Sequence, residues 1–515
     1  MKNIKRIFLT AMFSLVAFGA SAQLKTSYFM EGSTYRYDMN PALTPLRGYI
    51  KFPALNMFSL NLDNNLLAIN RFLFNKNGET VTFLHKSVSE QEFLKKFKRD
   101  NNIGLDLNVP ILGFGDYSKH CFWSFDLNVR AMGNVSVPRD MFRMIKSLGN
   151  GTCDMSNLRF DLNSYMQASL GFTFPIGKYV ITGFKVKGLV GLAHATANLD
   201  NLKLSFAEDR ITASAHGYIE AGMTGVDLSK VRQAGDKFSM SLTDSESADD
   251  GSASDDIPNL SDALDFNLSD IPGTIKNGGF ALDLGVEVNL LKDQLHLSAS
   301  VIDLGWIWYK NSAAFETNTI NASWEGINLS NMVNGSELDV QGALKGNYSD
   351  IVLTNKGNKT IVSRLATQLN VGAEYGFLNN KISLGMLSHT KFYESHTYSE
   401  LTASLNLRAG KAFSASFSYS FLNTGLSSLG FALNVHPKGF NLFFGTDYIP
   451  LSFAKLPAVE GLPIRIPVPV DNFGLSFYAG ISFSLHEAHY GKTNKEVRLE
   501  RKAARKAARE EKSDK

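Results

Sequence analysis

Two imidazoles and a carboxylate fall within four residues at His486-Glu487-Ala488-His489, the kind of donor set that binds zinc and activates water. The helical zinc-protease motif requires His-Glu-x-x-His, which stacks both rings one turn apart with the glutamate as base. Here the second histidine comes one residue early and no third ligand is evident, so no metal site is expected. The carboxylates Asp244, Glu246, Asp249, Asp250, Asp255 and Asp256 crowd a stretch rich in Ser, Ala and Gly. Calcium loops place their oxygen ligands at set positions. This spacing lacks that pattern, and a solvated loop is the expected state. Cys121 and Cys153 are the two cysteines. An oxidising compartment permits one bridge between them, and two unpaired thiols fit equally well. No Gly-x-Ser-x-Gly elbow, phosphate loop or cysteine cluster occurs. The reading therefore names no catalytic residue, no metal and no cofactor. Outer-membrane lipases and acyltransferases draw their nucleophile and histidine from separate strands, so the missing local motif leaves a membrane-embedded enzyme of that kind open.

The polar residues that do follow a rule sit on alternating positions of apolar segments. In Phe413–Phe421 the residues Phe413, Ala415, Phe417, Tyr419 and Phe421 share one face, and Ser414, Ser416, Ser418 and Ser420 take the other. Phe473–Leu485 repeats the pattern. A period of two over this length is a β-strand able to cross a bilayer when tilted. By the same alternation Asp283, Glu287 and Asn289 oppose the apolar face of their segment, as do Gln368, Asn370 and Glu374, followed by Asn406, Arg408 and Asn434. A mid-depth Arg or Lys facing lipid costs about 2–4 kcal/mol, so these nine side chains are expected to face a lumen. Trp306 and Trp308 share a face near a strand end, where indole rings favour the lipid–water interface.

Met1–Ala22 carries Lys2, Lys5 and Arg6, an apolar run and Ala20-Ser21-Ala22, the layout of a cleaved secretory leader. Mean hydropathy is −0.09, with 42 Gly and 37 Phe, which suits apolar lipid-facing residues balanced by a polar interior. The net charge of +3 over 515 residues is too small and scattered for a nucleic-acid partner. Strand candidates total about fourteen to sixteen. The connections His436–Gly439, Arg408–Ala412, Phe377–Lys381, Leu291–Gln294 and Pro175–Lys178 read as tight turns. Long connections at Asn75–Asn101, Met132–Asn157, Thr224–Asn277, Gly326–Thr360 and Pro450–Asp471 fall at the opposite end, the asymmetry of a membrane barrel. Ser89–Lys98 and Pro138–Leu148 carry helical spacing within two of them. The expected layout is a signal peptide over 1–22, an N-terminal segment over 23–47, a barrel over 48–485 and a charged periplasmic tail over 486–515. The fold class is all-β: a transmembrane antiparallel barrel of about 14 strands, with 16 the alternative, and short helices in its loops.

Tyr35-Arg36-Tyr37-Asp38-Met39-Asn40-Pro41-Ala42-Leu43 resembles the N-terminal segment of FadL-like outer-membrane proteins and of PorV, the barrel subunit of type IX secretion. With Val137–Phe142, Asp303-Leu304-Gly305-Trp306 and His436–Asn441, the chain looks like a member of a FadL-related barrel family of diderm bacteria known only as a domain of unknown function. The resemblance implies a barrel in the outer membrane, with Asn40, Pro41 and Ala42 as a plug or turn tucked into the lumen. It implies outer-membrane lipid around a monomer and small hydrophobic molecules as solutes, or alternatively PorV-like association with secretion components. The chain departs from the family where bulky Tyr28, Phe29, Tyr35 and Tyr37 replace a small-residue helix, and FadL's ligand contacts do not map onto it.

Overall fold

The computed structural model describes residues 25–52, 58–66, 68–147, 151–206, 210–223, 238–239, 277–317, 320–325, 347–348, 352–409, 412–423, 427–449, 453–455, 467–469 and 475–487. The expected leader, the acidic cluster and most of the charged tail lie outside these residues, as do most of the Thr224–Asn277 connection and parts of Gly326–Thr360 and Pro450–Asp471.

The strands form one antiparallel ring. In chain order its staves are β1 (Arg47–Lys51, resumed at Phe58–Asn64), β2 (Asp100–Tyr117), β3 (Phe122–Pro138), β4 (Leu158–Ile176) and β5 (Val180–Phe206). Next come β6 (Gly278–Leu290), β7 (Leu295–Thr317), β8 (Val352–Arg364, resumed at Thr367–Phe377), β9 (Ile382–Phe392) and β10 (Thr397–Ala409). β11 (Phe413–Leu422), β12 (Ser427–Val435), β13 (Phe440–Ile449) and β14 (Leu475–Glu487) complete it. Each pairs with the next, and β14 pairs back onto β1 through Phe483↔Ile50 and Phe477↔Leu60, so all fourteen staves close without an edge. Closure gives each stave a partner on both sides within the sheet, which a membrane interior requires. One strand, Arg210–Met223, enters the ring above β6 and fills the same slot between β5 and β7. β5 runs 27 residues, far beyond the roughly 9–11 that cross a bilayer, so the wall rises above the membrane on that side.

Every connection at one end is a tight turn, and the long connections all lie at the other, together with the short β9–β10 turn. Ser118–Cys121 is a further tight turn that the sequence reading passed over; it joins β2, which continues to Tyr117, to β3, which begins at Phe122. At the loop end residues 65–99 fold back with their own core: Leu66, Phe74, Val88, Phe93, Leu94 and Phe97, packed by Phe142 of the helix Arg139–Ser147. Lys98 reaches over the mouth to the carbonyl of Asn423 on the far rim. Cys121 lies at the turn end and Cys153 at the loop end, and both are unbridged thiols.

Burial is inverted relative to a water-soluble protein. Outward Leu384, Met386, Phe417 and Phe421 are each about half exposed, whereas inward Asn370, Ser416 and Asn434 are fully buried. Exposed large side chains of this kind on many staves make a continuous apolar band that only hydrocarbon covers favourably. Trp306 and Trp308 lie on this outer face beside Phe280, with ring centroids 4.7 Å (Phe280–Trp306) and 6.0 Å (Trp306–Trp308) apart.

Candidate functional site

The lumen is filled from within by residues 25–46. Tyr28, Phe29, Met30, Tyr35, Met39 and Leu43 pack as one cluster against Leu387, Ala432, Phe443 and Tyr478 of the wall. The bulk at Tyr28, Phe29, Tyr35 and Tyr37 explains itself here: those rings occupy volume that a small-residue helix would leave empty.

Polar wall groups bind the segment's backbone along its length. The Met39 carbonyl accepts from Ser300 (2.7 Å) and Asn370 (2.8 Å), the Phe29 carbonyl from Arg408 (3.1 Å), and the Gly32 carbonyl from Asn441 (2.6 Å). The Asn40 amide donates to the Tyr28 hydroxyl (3.1 Å) and approaches the carbonyls of Val286 and Ala299, while its Oδ1 accepts the Ala42 N–H at 2.9 Å. That Asx turn, with proline fixing its own φ, sets the bend. The Pro41 carbonyl accepts from Thr173 at 2.6 Å. Wall glycines allow the approach. A Cβ on Gly285 would run into Asn40 Oδ1 and lie 2.8 Å from Pro41 Cδ, and one on Gly385 would run into the Phe29 ring.

The start of the segment is held by charge. Lys25, fully buried, donates to Glu400 and to Tyr448 (2.8 Å), while its backbone N–H and that of Thr26 donate to Asp447 at 3.2 and 2.9 Å. Thr26 meets the Ser418 hydroxyl at 2.7 Å. Nearer the middle, Asp38 pairs with Lys185 at 2.8 Å and Lys51 at 3.9 Å. Burial opposes its ionisation, but the two ammonium groups outweigh that and hold its carboxyl down to about 2.

Of the nine residues placed inward by alternation, Asp283 binds Lys187 (2.7 Å), Glu287 faces Arg36 (4.0 Å) and His296 (3.3 Å), and Asn289 meets His296 at 2.7 Å. Gln368 donates to Asp303 at 3.2 Å, Glu374 pairs with Arg408 at 2.5 Å, and Asn406 accepts from Ser416 at 2.7 Å. Asn434 is fully buried beside Gly32, and Asn370 and Arg408 hold the segment as described above. The sequence reading missed Lys25, Asp106, Asp126, Arg130, Lys187, Lys391, Glu400 and Asp447. Alternation carries the signal for several: Lys185 and Lys187 alternate with outward Phe184 and Val186. The inward glycines and inward Leu387, Phe443 and Tyr478, exceptions to a polar lining, are the trace of the packed segment.

Between the ends of β1–β2 and β9–β11 a cavity of about 300 Å³ opens at the loop end, lined by residues that include Asn65, Asn102, Tyr393, His396, Tyr398 and Asn423. Tyr393 and His396 stack there at 4.7 Å. Burial, with the Lys391 ammonium behind it, pushes the His396 imidazole down to about 4, so its ring is uncharged at neutral pH. Tyr398 forms part of this floor and also bonds Glu400 at 2.6 Å, which places the Lys25 contact directly beneath.

A closed, lipid-facing ring with its own N-terminal segment lodged inside is a plugged transmembrane β-barrel. The chain belongs to the family described as "Family of unknown function (DUF5723)", whose model matches residues 41–447. No curated protein matches its sequence. Among solved structures it is similar to the CymD monoaromatic hydrocarbon channel, with 8% identity, 92% of this chain and 99% of that one covered, and a TM-score of 0.37. It is also similar to the Pseudomonas putida toluene transporter TodX (8% identity, 89% and 95% covered, TM-score 0.34). The translocator domain of autotransporter NalP from Neisseria meningitidis matches at 6% identity, 89% and 96% covered, with a TM-score of 0.28. Scores of this size carry no argument about activity, and the barrel is read from its own ring.

Proposed function

We propose that this protein is an outer-membrane channel for small hydrophobic molecules, held closed by residues 25–46. One observation carries the reading: the segment's aromatic side chains cover an apolar wall patch of Leu387, Ala432, Phe443 and Tyr478 inside the lumen. When the segment withdraws, a solute entering through the cavity floored by Tyr393, His396 and Tyr398 meets that patch in its place. Long connections at one end and tight turns at the other support an orientation with the cavity outward and the turns in the periplasm. Loss of the protein should slow uptake of a hydrophobic solute such as a long-chain fatty acid by intact cells. Uptake equal in cells with and without it would end this reading.

A second reading, a PorV-like barrel that associates with secretion components, draws on the separately packed cap of residues 65–99, which offers a formed surface at the mouth. Crosslinking that captures a stable envelope partner, with uptake unchanged, would favour it.

A further inference from the structure

We propose, building on the plugged-channel reading, that the plug gates only half of the lumen. The half bounded by β10–β14 opens to water when residues 25–46 leave; the half bounded by β2–β9, which the plug touches towards the turns at Thr173, Lys185, Ser300 and Asn370, stays sealed nearer the loop end by direct contact between opposing walls.

The contacts that seal it join staves far apart around the ring. Lys391 of β9 pairs with Asp106 of β2, with six staves between them in either direction. Arg130 of β3 pairs with Asp303 of β7 at 2.6 Å. Asn163 of β4 donates to Ser363 of β8 at 2.7 Å and accepts from Tyr309 of β7 at 2.6 Å. Towards the mouth, Asn134 of β3 donates to Ser395 at 3.0 Å, and Arg159 of β4 meets Glu394 at 3.1 Å, both partners lying in the β9–β10 turn. Met132, Tyr165, Ile307, Tyr309 and Leu365 from both walls pack together between these polar contacts. Cavities of about 90 and 60 Å³ remain in this half, room for a few waters each, the larger closed on its turn side by Asp38 and Met39 of the plug.

None of these wall-to-wall contacts uses a residue of the plug, so withdrawal of the plug leaves them in place. The other wall is different. Thr402, Ser404, Ser416, Ser418, Ser420 and Ser476 are buried there beneath or beside the segment, and short hydroxyl side chains cannot reach across a barrel to replace it.

The test uses the full chain and its Thr26–Met39 deletion, each with Cys121→Ser and Cys153→Ser, in detergent and then in planar bilayers. A single cysteine is placed at Ser418 or at Asn163, and its labelling rate by a small membrane-impermeant maleimide is measured. The deletion should speed labelling at position 418 at least tenfold and leave position 163 unchanged. Equal acceleration at both positions overturns the proposal, as does no acceleration at 418. In the same background, Asn134→Cys with Ser395→Cys should form a disulfide under mild oxidation. Absence of the bridge in a barrel that keeps its heat-modifiable gel mobility also overturns it. Asymmetric labelling in a barrel that passes no current would defeat the channel reading alone.

Discussion

The inner faces of β2–β9 and of β10–β14 are built from different chemistry. The first carries Asp106, Arg130, Lys187, Asp283, Asp303 and Lys391 in a connected run of alternating charge, so that each buried ion has partners of opposite sign. The second carries mainly Ser and Thr, and its buried carboxylates Glu400 and Asp447 accept from wall hydroxyls of Tyr398, Tyr448 and Tyr478 as well as from the Lys25 ammonium and the backbone N–H groups of Lys25 and Thr26. The charge network of the first half is therefore complete without residues 25–46, although Thr173, Lys185, Ser300 and Asn370 of that half also hold them, whereas Glu400 in the second half takes its ammonium partner from Lys25. Under the proposed gating, the charged pairs of the first half hold the walls together while the segment leaves the hydroxyl-lined half.

The largest effect should come from Lys25→Ala, which leaves Glu400 buried without its cation. Breaking one side of a buried pair costs about 3–5 kcal/mol, and here undocking relieves the cost by admitting water. Occupancy of the docked state should fall on the order of a hundredfold or more, read as protease sensitivity of the N-terminal segment. Unchanged protection would show that the two halves do not differ as described. Asp303→Ala removes the shared partner of Arg130 and Lys187, again about 3–5 kcal/mol, but undocking cannot relieve it. It should lower the temperature of the barrel's gel-mobility transition while leaving the segment protected. Gly285→Ala should weaken docking by about 1–3 kcal/mol, the usual scale of overpacking, with the barrel's own transition unmoved. The smallest effect concerns pH. Asp38 is depressed to about 2 from an ordinary value of 3.8, so its contribution to docking is full above its ordinary value and fades as pH falls towards 2. Protection of the segment should be flat from pH 5 to 8 on its account and decline below about pH 4.

Strand alternation made the ring, its apolar exterior and the sorting of loops legible before any coordinates, because a period of two depends only on neighbours in sequence. Asn40-Pro41-Ala42 stood out because proline and an Asx turn act locally. Lys25 did not, since a lysine shortly after an expected leader reads as a plain surface charge until Glu400 is found 375 residues away. The cross-wall pairs were hidden for a similar reason. Alternation says that Lys391 and Asp106 both face inward, but their meeting depends on how closely opposing walls approach, which is set by the stagger and flattening of the whole ring. The strand Arg210–Met223, doubling the slot of β6, likewise has no local signature beyond its alternation.

Single-channel recording in planar bilayers tests the central claim most directly, comparing the intact chain with the Thr26–Met39 deletion. The intact protein should be electrically silent and the deletion should conduct steadily. Identical traces from two correctly folded barrels would contradict the account.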